Sequence, residues 1–311
     1  MADEPHPQLT RILELVADAP NFEEVGVEEA REAFEALASF SPAFEVHEQY
    51  DTTVAGVDGD LDARVYRPGE GNRPILIYFH GGGFVVGGLD THDNVCQRLA
   101  VESGWTVVSV DYRLAPEHPF PTPLEDAYAA VESITADPAS FDGDGTVAVG
   151  GDSAGANLSA GATLLARDAA SIGDDAPDIA HQLLYYPACG SPFESYASRE
   201  ENAESYFLER STIAWFDEQY VQSPTHARNG YLAPLLVDDL SGLPDATVVT
   251  AGFDPLRDEG IAYAEALESD DVAVEHRHYE SMIHGFVSFL GRVDAAEDAI
   301  SAGATGLDAA R

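Results

Sequence analysis

The amino-acid sequence predicts an α/β fold in which a mostly parallel sheet of eight strands is flanked by helices. Short apolar runs alternate with longer segments of helical periodicity, as expected for parallel strands joined by helical crossovers. The 311 residues are 45% hydrophobic, which is sufficient for a sizeable core in a single domain over residues 1–311. No repeat with a period of about 20–50 residues is visible, so a solenoid is excluded.

The first part of the chain predicts two helices followed by a hairpin. Apolar residues recur at helical spacing in residues 12–16 and again in residues 21–40. The pattern then changes to the two-residue alternation of strands in residues 44–53 and 61–66. A hairpin-turn sequence at residues 58–60 separates them, so the two strands are predicted to add an antiparallel edge to the sheet.

The remaining strands and helices alternate along the chain. Short apolar runs suited to buried strands lie at residues 74–79, 106–110, 146–150, 182–186, 246–251 and 272–276. Helical patterns are found at residues 93–103, 124–136, 156–170, 258–269 and 286–303. This order predicts a parallel sheet that is covered by helices on both faces.

Residues 190–230 interrupt the alternation and are rich in aromatic side chains among acidic ones. We interpret them as an inserted helical cap, completed by the N-terminal residues 1–43, over the edge where the parallel strands end. Ligands of open α/β sheets bind at that edge, so the insertion is well placed to shape a pocket. The alternative is an ordinary pair of surface helices.

The charge of the chain is strongly negative. Fifty-six acidic residues face fifteen basic ones, all of them arginine, and the formal net charge is −41. A nucleic-acid partner is excluded because phosphate binding requires a basic surface. No apolar run approaches the ~20 residues that cross a bilayer, and the acidic N-terminus does not resemble a signal peptide, so we expect a cytoplasmic protein without membrane contact. The acidic excess predicts adaptation to concentrated salt.

Cysteine and histidine patterns give no sign of a metal site. Cys96 and Cys189 are isolated and are predicted to be reduced core residues. His276 and His278 share one strand face, where a two-histidine metal site is conceivable, but solvated strand residues are the better interpretation. No metal and no cofactor is therefore expected.

A Gly-Asp-Ser-Ala-Gly sequence at residues 151–155 lies directly between a predicted strand and a predicted helix. Glycines two residues on either side of a serine suit a sharp turn in which the neighbouring backbone passes close to the strand and the helix. Such a turn exposes the Ser153 hydroxyl at the end of the sheet. Ser153 is therefore the candidate nucleophile.

A serine nucleophile requires a base and an acid that orients the base. His284 lies in a turn after the last predicted strand and is the candidate base. Asp254 follows the strand at residues 246–251 and is the candidate acid, with Asp258, one helical turn later, as the alternative. The chain order Ser, Asp, His is that of α/β-hydrolases.

The oxyanion that forms during acyl transfer needs donors that are already in place. The backbone N–H of Ala154, which follows the nucleophile, is one candidate. The glycine-rich loop after the strand at residues 74–79 supplies two more, Gly82 and Gly83. This loop lacks the pattern of a phosphate-binding loop, and the chain has no lysine for one.

Five stretches together resemble the hormone-sensitive-lipase family of α/β-hydrolase carboxylesterases, here with a halophilic composition that points to a haloarchaeal source. They are His80-Gly81-Gly82-Gly83-Phe84, residues 111–121, residues 151–155, Asp254-Pro255-Leu256-Arg257-Asp258 and Ile283-His284-Gly285-Phe286. The resemblance implies the same triad and oxyanion donors, and short- to medium-chain acyl esters as small-molecule substrates.

The substrate pocket is expected to draw on Phe84, Phe207, Leu208 and Ile283. Arg113 is expected to pair with Glu117 or Asp126 and to hold its loop beside the oxyanion segment. The same triad could also serve an amidase, a lactonase or a lipase, and a non-catalytic ligand-binding protein on this fold is a further alternative. The chain is expected to be a monomer or a homodimer.

Overall fold

The computed structural model of the protein describes residues 2–17, 21–38 and 41–311. Its centre is an eight-stranded sheet in the order β1-β2-β4-β3-β5-β6-β7-β8. The strands are β1 Glu48–Gly56, β2 Gly59–Arg67, β3 Arg73–Phe79, β4 Thr106–Val110, β5 Gly143–Asp152, β6 Gln182–Tyr185, β7 Ala246–Phe253 and β8 Val274–Ile283. β2 pairs antiparallel with both β1 and β4, and the other pairings are parallel. The predicted fold class is confirmed.

Helices cover both faces of this sheet. They are α1 Thr10–Ala17, α2 Val27–Ala38, α3 Asp93–Ser103, α4 Thr122–Ala136, α5 Ala154–Ser171, α6 Ala197–Glu201, α7 Arg210–Tyr220, α8 Arg257–Ser269 and α9 Asp294–Ala309. In the part of the chain that the structure describes, no helix combines the length and apolar character needed to span a membrane.

Strand β3 divides the core between the two faces. Ile75 and Ile77 pack in one buried cluster with residues of α4 and α5, and Leu76 and Tyr78 pack in another with residues of α3 and α9. Successive side chains of a strand point to opposite faces, so a continuous apolar run is what a strand covered on both faces requires.

Several predicted boundaries differ from the structure. Residues 44–47 precede β1, and the last strand runs on to Ile283 instead of ending at residue 276. The predicted helix at 286–303 is a short 3-10 turn at Phe286–Ser288 followed by α9, because Gly291 adopts a left-handed conformation with φ of 72° that ends any continuous helix. The predicted helix at 21–40 corresponds to α2, and Phe40 lies outside the described residues.

Candidate active site

The predicted strand-to-helix elbow is present between β5 and α5. Ser153 has φ of 54° and ψ of −116°, an uncommon conformation for a residue with a side chain, and α5 begins at the next residue. A Cβ on Gly155 would overlap the carbonyl oxygen of Phe79, so only glycine fits where the helix crosses the end of β3. The turn therefore holds the Ser153 side chain at the carboxyl edge of the sheet.

The structure brings together the three side chains predicted to form a triad. Nε2 of His284 lies 3.0 Å from Oγ of Ser153, and Nδ1 lies 2.8 Å from Oδ2 of Asp254. Asp254 is fully buried, and its Oδ1 accepts a hydrogen bond from the backbone N–H of Leu256 at 2.8 Å. Both aspartate oxygens are thus held, and the imidazole is fixed between acid and hydroxyl.

Asp258, the alternative acid, is engaged elsewhere. Its carboxylate accepts hydrogen bonds from Nε of Arg257 at 2.8 Å and from the backbone N–H of Ser198 at 2.8 Å. The bond from Ser198 ties the start of α8 to the inserted segment. The geometry therefore favours Asp254 as the partner of His284.

The glycine-rich loop is anchored to the residue before Ser153. Oδ1 of Asp152 accepts hydrogen bonds from the backbone N–H of Gly81 at 3.0 Å and from the Tyr78 hydroxyl at 2.8 Å. Nε2 of His92 lies 3.3 Å from the same oxygen. Burial raises the pKa of Asp152, but His92 and the hydrogen bonds outweigh burial, so the pKa lies below its ordinary value. The carboxylate thus links the loop that carries Gly82 and Gly83 to the elbow.

His80 lies beneath this loop as a neutral ring. Burial lowers the pKa of its imidazole to about 3, and the nearby His92 ring acts in the same direction. A neutral ring donates from only one nitrogen, and Nδ1 of His80 donates to the carbonyl of Gly81 at 2.8 Å. The Tyr112 hydroxyl in turn donates to the His80 carbonyl at 2.8 Å. These two hydrogen bonds hold the start of the glycine-rich loop in place.

A cavity of about 1030 Å³ opens above Ser153. Its lining includes Gly82, Gly83 and His284, so the candidate nucleophile, base and oxyanion loop all face one space. Both segments predicted as the cap contribute to the walls. The predicted pocket residues Phe207 and Leu208 come from the inserted segment, and residues of α1 and α2 complete the lining.

Two predicted pocket residues lie away from the cavity. Phe84 is turned by a φ of 65° so that its ring stacks on Tyr220, with ring centroids 3.8 Å apart. Ile283 is fully buried among α9-side core residues, because neighbours at the end of a strand point to opposite faces and His284 takes the cavity side. The structure therefore does not support a substrate contact for either side chain.

Other cavity-lining residues were not predicted. Phe34 on α2 and Phe216 on α7 belong to the walls, as do His92 and Asp152. The aromatic richness of residues 190–230 is the signal that points to Phe216. Nothing in the sequence pattern distinguishes Phe34, which sits at helical spacing like an ordinary core residue.

The structure also shows the contacts of Arg113, for which two partners were predicted, and of the two histidines on the last strand. Arg113 pairs with Asp126 at 2.7 Å, whereas Glu117 pairs with Arg31 at 2.7 Å. His276 and His278 each lie within hydrogen-bond distance of the Thr250 hydroxyl, and both are half-buried.

The described residues include no cluster of three or more His, Cys, Asp or Glu side chains suited to a metal ion. The cysteines at positions 96 and 189 are free and buried.

This fold and this arrangement of side chains define an α/β-hydrolase. Residues 76–288 match the family described as having the alpha/beta hydrolase fold. Esterase LipI of Mycobacterium tuberculosis is 38% identical over 315 residues, which cover 98% of this chain and 96% of that protein. Carboxylesterase NlhH of the same organism is 41% identical over 290 residues, which cover 91% of this chain and 89% of that protein.

A solved structure is similar over nearly the whole chain. The hyperthermophilic esterase from the archaeon Pyrobaculum calidifontis superimposes with a TM-score of 0.91 at 40% sequence identity, covering 98% of both chains. The chain therefore belongs to the hormone-sensitive-lipase-like family of α/β-hydrolase carboxylesterases, which confirms the resemblance noted from its motifs.

Proposed function

We propose that this protein is a carboxylesterase that hydrolyses short- to medium-chain acyl esters through an acyl-enzyme intermediate. The observation that carries the proposal is the continuous contact from Ser153 Oγ through His284 to Asp254 at the base of a cavity. The esterase names of the relatives agree with this proposal.

In the proposed mechanism, Ser153 Oγ attacks the ester carbonyl while Nε2 of His284 takes the hydroxyl proton. Asp254 holds the imidazole in the required tautomer and stabilises the imidazolium. The negative charge on the carbonyl oxygen is bound by the amides of Gly82, Gly83 and Ala154. His284 then returns the proton to the departing alcohol oxygen.

The acyl group remains on Ser153 until a water molecule replaces the alcohol. His284 removes a proton from this water, whose oxygen attacks the acyl carbonyl, and then donates that proton back to Oγ of Ser153. The free acid leaves and the enzyme returns to its starting state. Apart from the ester and this water molecule, each proposed step uses side-chain and backbone groups of the described residues.

Replacement of Asp254 by asparagine is expected to lower kcat by about 10³- to 10⁴-fold, because the amide holds the imidazole in the wrong tautomer. The matched control is Asp258→Asn, which changes the same chemical group one helical turn away and should keep kcat within about threefold. Steady-state kinetics on one soluble ester give both values. Near-normal turnover by Asp254→Asn would assign the role of acid to a different residue.

The length preference tests the proposed substrate class. We expect kcat/KM for p-nitrophenyl esters, measured in molar salt from acetyl to palmitoyl, to peak at short or medium acyl chains, since residues of both cap segments wall the cavity. Matching p-nitroanilides should be much poorer substrates. An optimum at palmitoyl would indicate a lipase, and faster cleavage of anilides would indicate an amidase.

We also propose that the enzyme works in concentrated salt. The support is the net charge of −41, carried without a single lysine. Arginines are drawn into ion pairs, as where Arg64 contacts the carboxylates of Asp51, Asp90 and Asp93 at 2.6–2.9 Å. Such networks leave most of the acidic excess to be screened by counter-ions.

A further inference from the structure

We propose that Tyr186, which follows β6, is a positioning residue for the base: its ring keeps the His284 imidazole in place while water attacks the acyl-enzyme. This role rests on the proposed function and adds a residue that the mechanism above does not use. Tyr186 is buried, and the centroid of its ring lies 4.7 Å from that of the His284 ring. Tyr186 does not line the cavity, so its ring contacts the imidazole from the side of the core.

An uncommon backbone conformation brings the Tyr186 ring to this place. Tyr185 packs in the buried cluster beside α9, and the next residue of an extended strand would point to the opposite face of the sheet. Tyr186 instead has φ of 38°, and its ring packs in the same cluster as that of Tyr185. A residue with a Cβ rarely adopts this conformation. Strain of this kind persists where the surrounding structure enforces it and is concentrated at functional sites, which points to a role beyond packing.

The turn that carries Tyr186 is also bonded to the elbow of the nucleophile. The backbone N–H of Ser153 donates to the carbonyl of Tyr185 at 2.9 Å, and the N–H of Tyr186 donates to the carbonyl of Val249 at 2.6 Å. The Phe286 ring packs against the Tyr186 ring, with centroids 5.9 Å apart. The end of β6 thus holds the nucleophile through its backbone and contacts the base through a side chain that is itself held in place.

The contact matters most after the acyl group has been transferred. In the free enzyme the imidazole is held at both nitrogens, by the Ser153 hydroxyl at 3.0 Å and by Asp254 at 2.8 Å. In the acyl-enzyme, Oγ of Ser153 is an ester oxygen without a proton, so the hydrogen bond that it donates to Nε2 is lost. The imidazole then keeps only its bond to Asp254 within the triad and is free to swing about it. The Tyr186 ring limits this swing while Nε2 takes a proton from the attacking water.

Replacement of Tyr186 by leucine is expected to slow deacylation at least about tenfold, since a displacement of about 1 Å in a reacting group costs on the order of 10²-fold. Acylation should change by less than about threefold, because Ser153 and Asp254 still hold the imidazole in that step. Stopped-flow release of p-nitrophenol from p-nitrophenyl esters separates the two steps: the burst reports acylation, and the steady state that follows reports deacylation. When deacylation limits turnover, kcat and KM fall together and kcat/KM is preserved.

The controls separate the ring contact from burial and from the hydroxyl. Tyr186→Phe keeps the ring and should keep both rates within about threefold. Tyr185→Leu removes the adjacent buried ring, whose hydroxyl donates to the carbonyl of Ala299 on α9 at 3.4 Å. This variant should unfold at a lower temperature without slower deacylation. Tyr186→Met, which fills the site with a flexible apolar side chain, gives the answer if Tyr186→Leu does not fold.

Four results would overturn the role of Tyr186. They are deacylation within tenfold of the wild type in a folded leucine or methionine variant, equal slowing of acylation and deacylation, equal slowing by Tyr186→Phe, and slower deacylation in Tyr185→Leu. In each case the proposed esterase function would stand. If the wild-type protein released no p-nitrophenol from any of the esters, the proposed function itself would be overturned, and the role of Tyr186 with it.

Discussion

Replacement of Ser153 by alanine is expected to lower kcat by at least about 10³-fold while leaving the fold intact, because the variant has no hydroxyl to form the acyl-enzyme. The hydroxyl is in contact with Nε2 of His284 at 3.0 Å. Rates of ester hydrolysis and a thermal unfolding curve measure the two parts of this expectation. Residual hydrolysis within tenfold of the wild type would exclude Ser153 as the nucleophile.

Glycine at the same position is the matched control for backbone strain. Ser153 has φ of 54°, and a residue with a Cβ in such a sparsely populated region costs on the order of 1 kcal/mol. Alanine keeps this strain and glycine relieves it. We therefore expect both variants to be inactive and Ser153→Gly to unfold at a higher temperature than Ser153→Ala.

Loss of the folded structure at millimolar salt is the second large effect expected. A sphere with a charge of −41 and a radius of about 25 Å has a self-repulsion of roughly 40 kcal/mol at 0.1 M salt and roughly 15 kcal/mol at 1 M. The unfolded chain also repels itself, so only part of this difference acts on folding. Even a fraction of this difference in self-repulsion is comparable to a typical free energy of unfolding of ~5–15 kcal/mol.

Circular dichroism during dialysis from molar to millimolar salt measures this effect. Sucrose is the control, because it favours compact states through exclusion from the protein surface but does not screen charge. We expect salt to preserve the helical signal and sucrose at low salt to preserve it poorly. An unchanged spectrum at millimolar salt would contradict the prediction of salt dependence.

The buried parts of the fold could be predicted because the spacing of apolar residues along the sequence follows which side chains are buried. Strand β3 is apolar at every position from Ile75 to Phe79, since it is covered on both faces. Strand β8 is at the edge of the sheet and carries charged and polar side chains as far as Ser281. Its two buried apolar residues, Met282 and Ile283, are separated from Val274 by this polar stretch, so the end of the strand at Ile283 could not be predicted.

The triad residues of the candidate active site could be predicted more completely than the residues that line its pocket. Ser153, Asp254 and His284 lie in short turns whose local sequence fixes where each side chain goes. The pocket is formed by packing between segments that are distant in the chain. A residue that is next to a catalytic loop in the sequence therefore need not line the pocket. Phe84 follows the oxyanion loop and yet turns away to stack on Tyr220.

The close approach of Gly155 to the carbonyl of Phe79 joins the two halves of the reaction centre. Phe79 ends the strand that leads into the oxyanion loop, and Gly155 lies in the first turn of the helix that follows Ser153. Strand β3, which ends at Phe79, and strand β5, which leads to Ser153, are neighbours in the sheet. Residues 190–230 are inserted at a different place, between β6 and β7. The reaction centre is thus held by neighbouring strands of the sheet, whereas part of the cavity wall is supplied by an insertion elsewhere in the chain. That insertion also contacts the loop of the candidate acid through Asn202, whose side-chain amide donates to the carbonyl of Asp254, so changes to the cavity wall are expected to be felt at the acid as well.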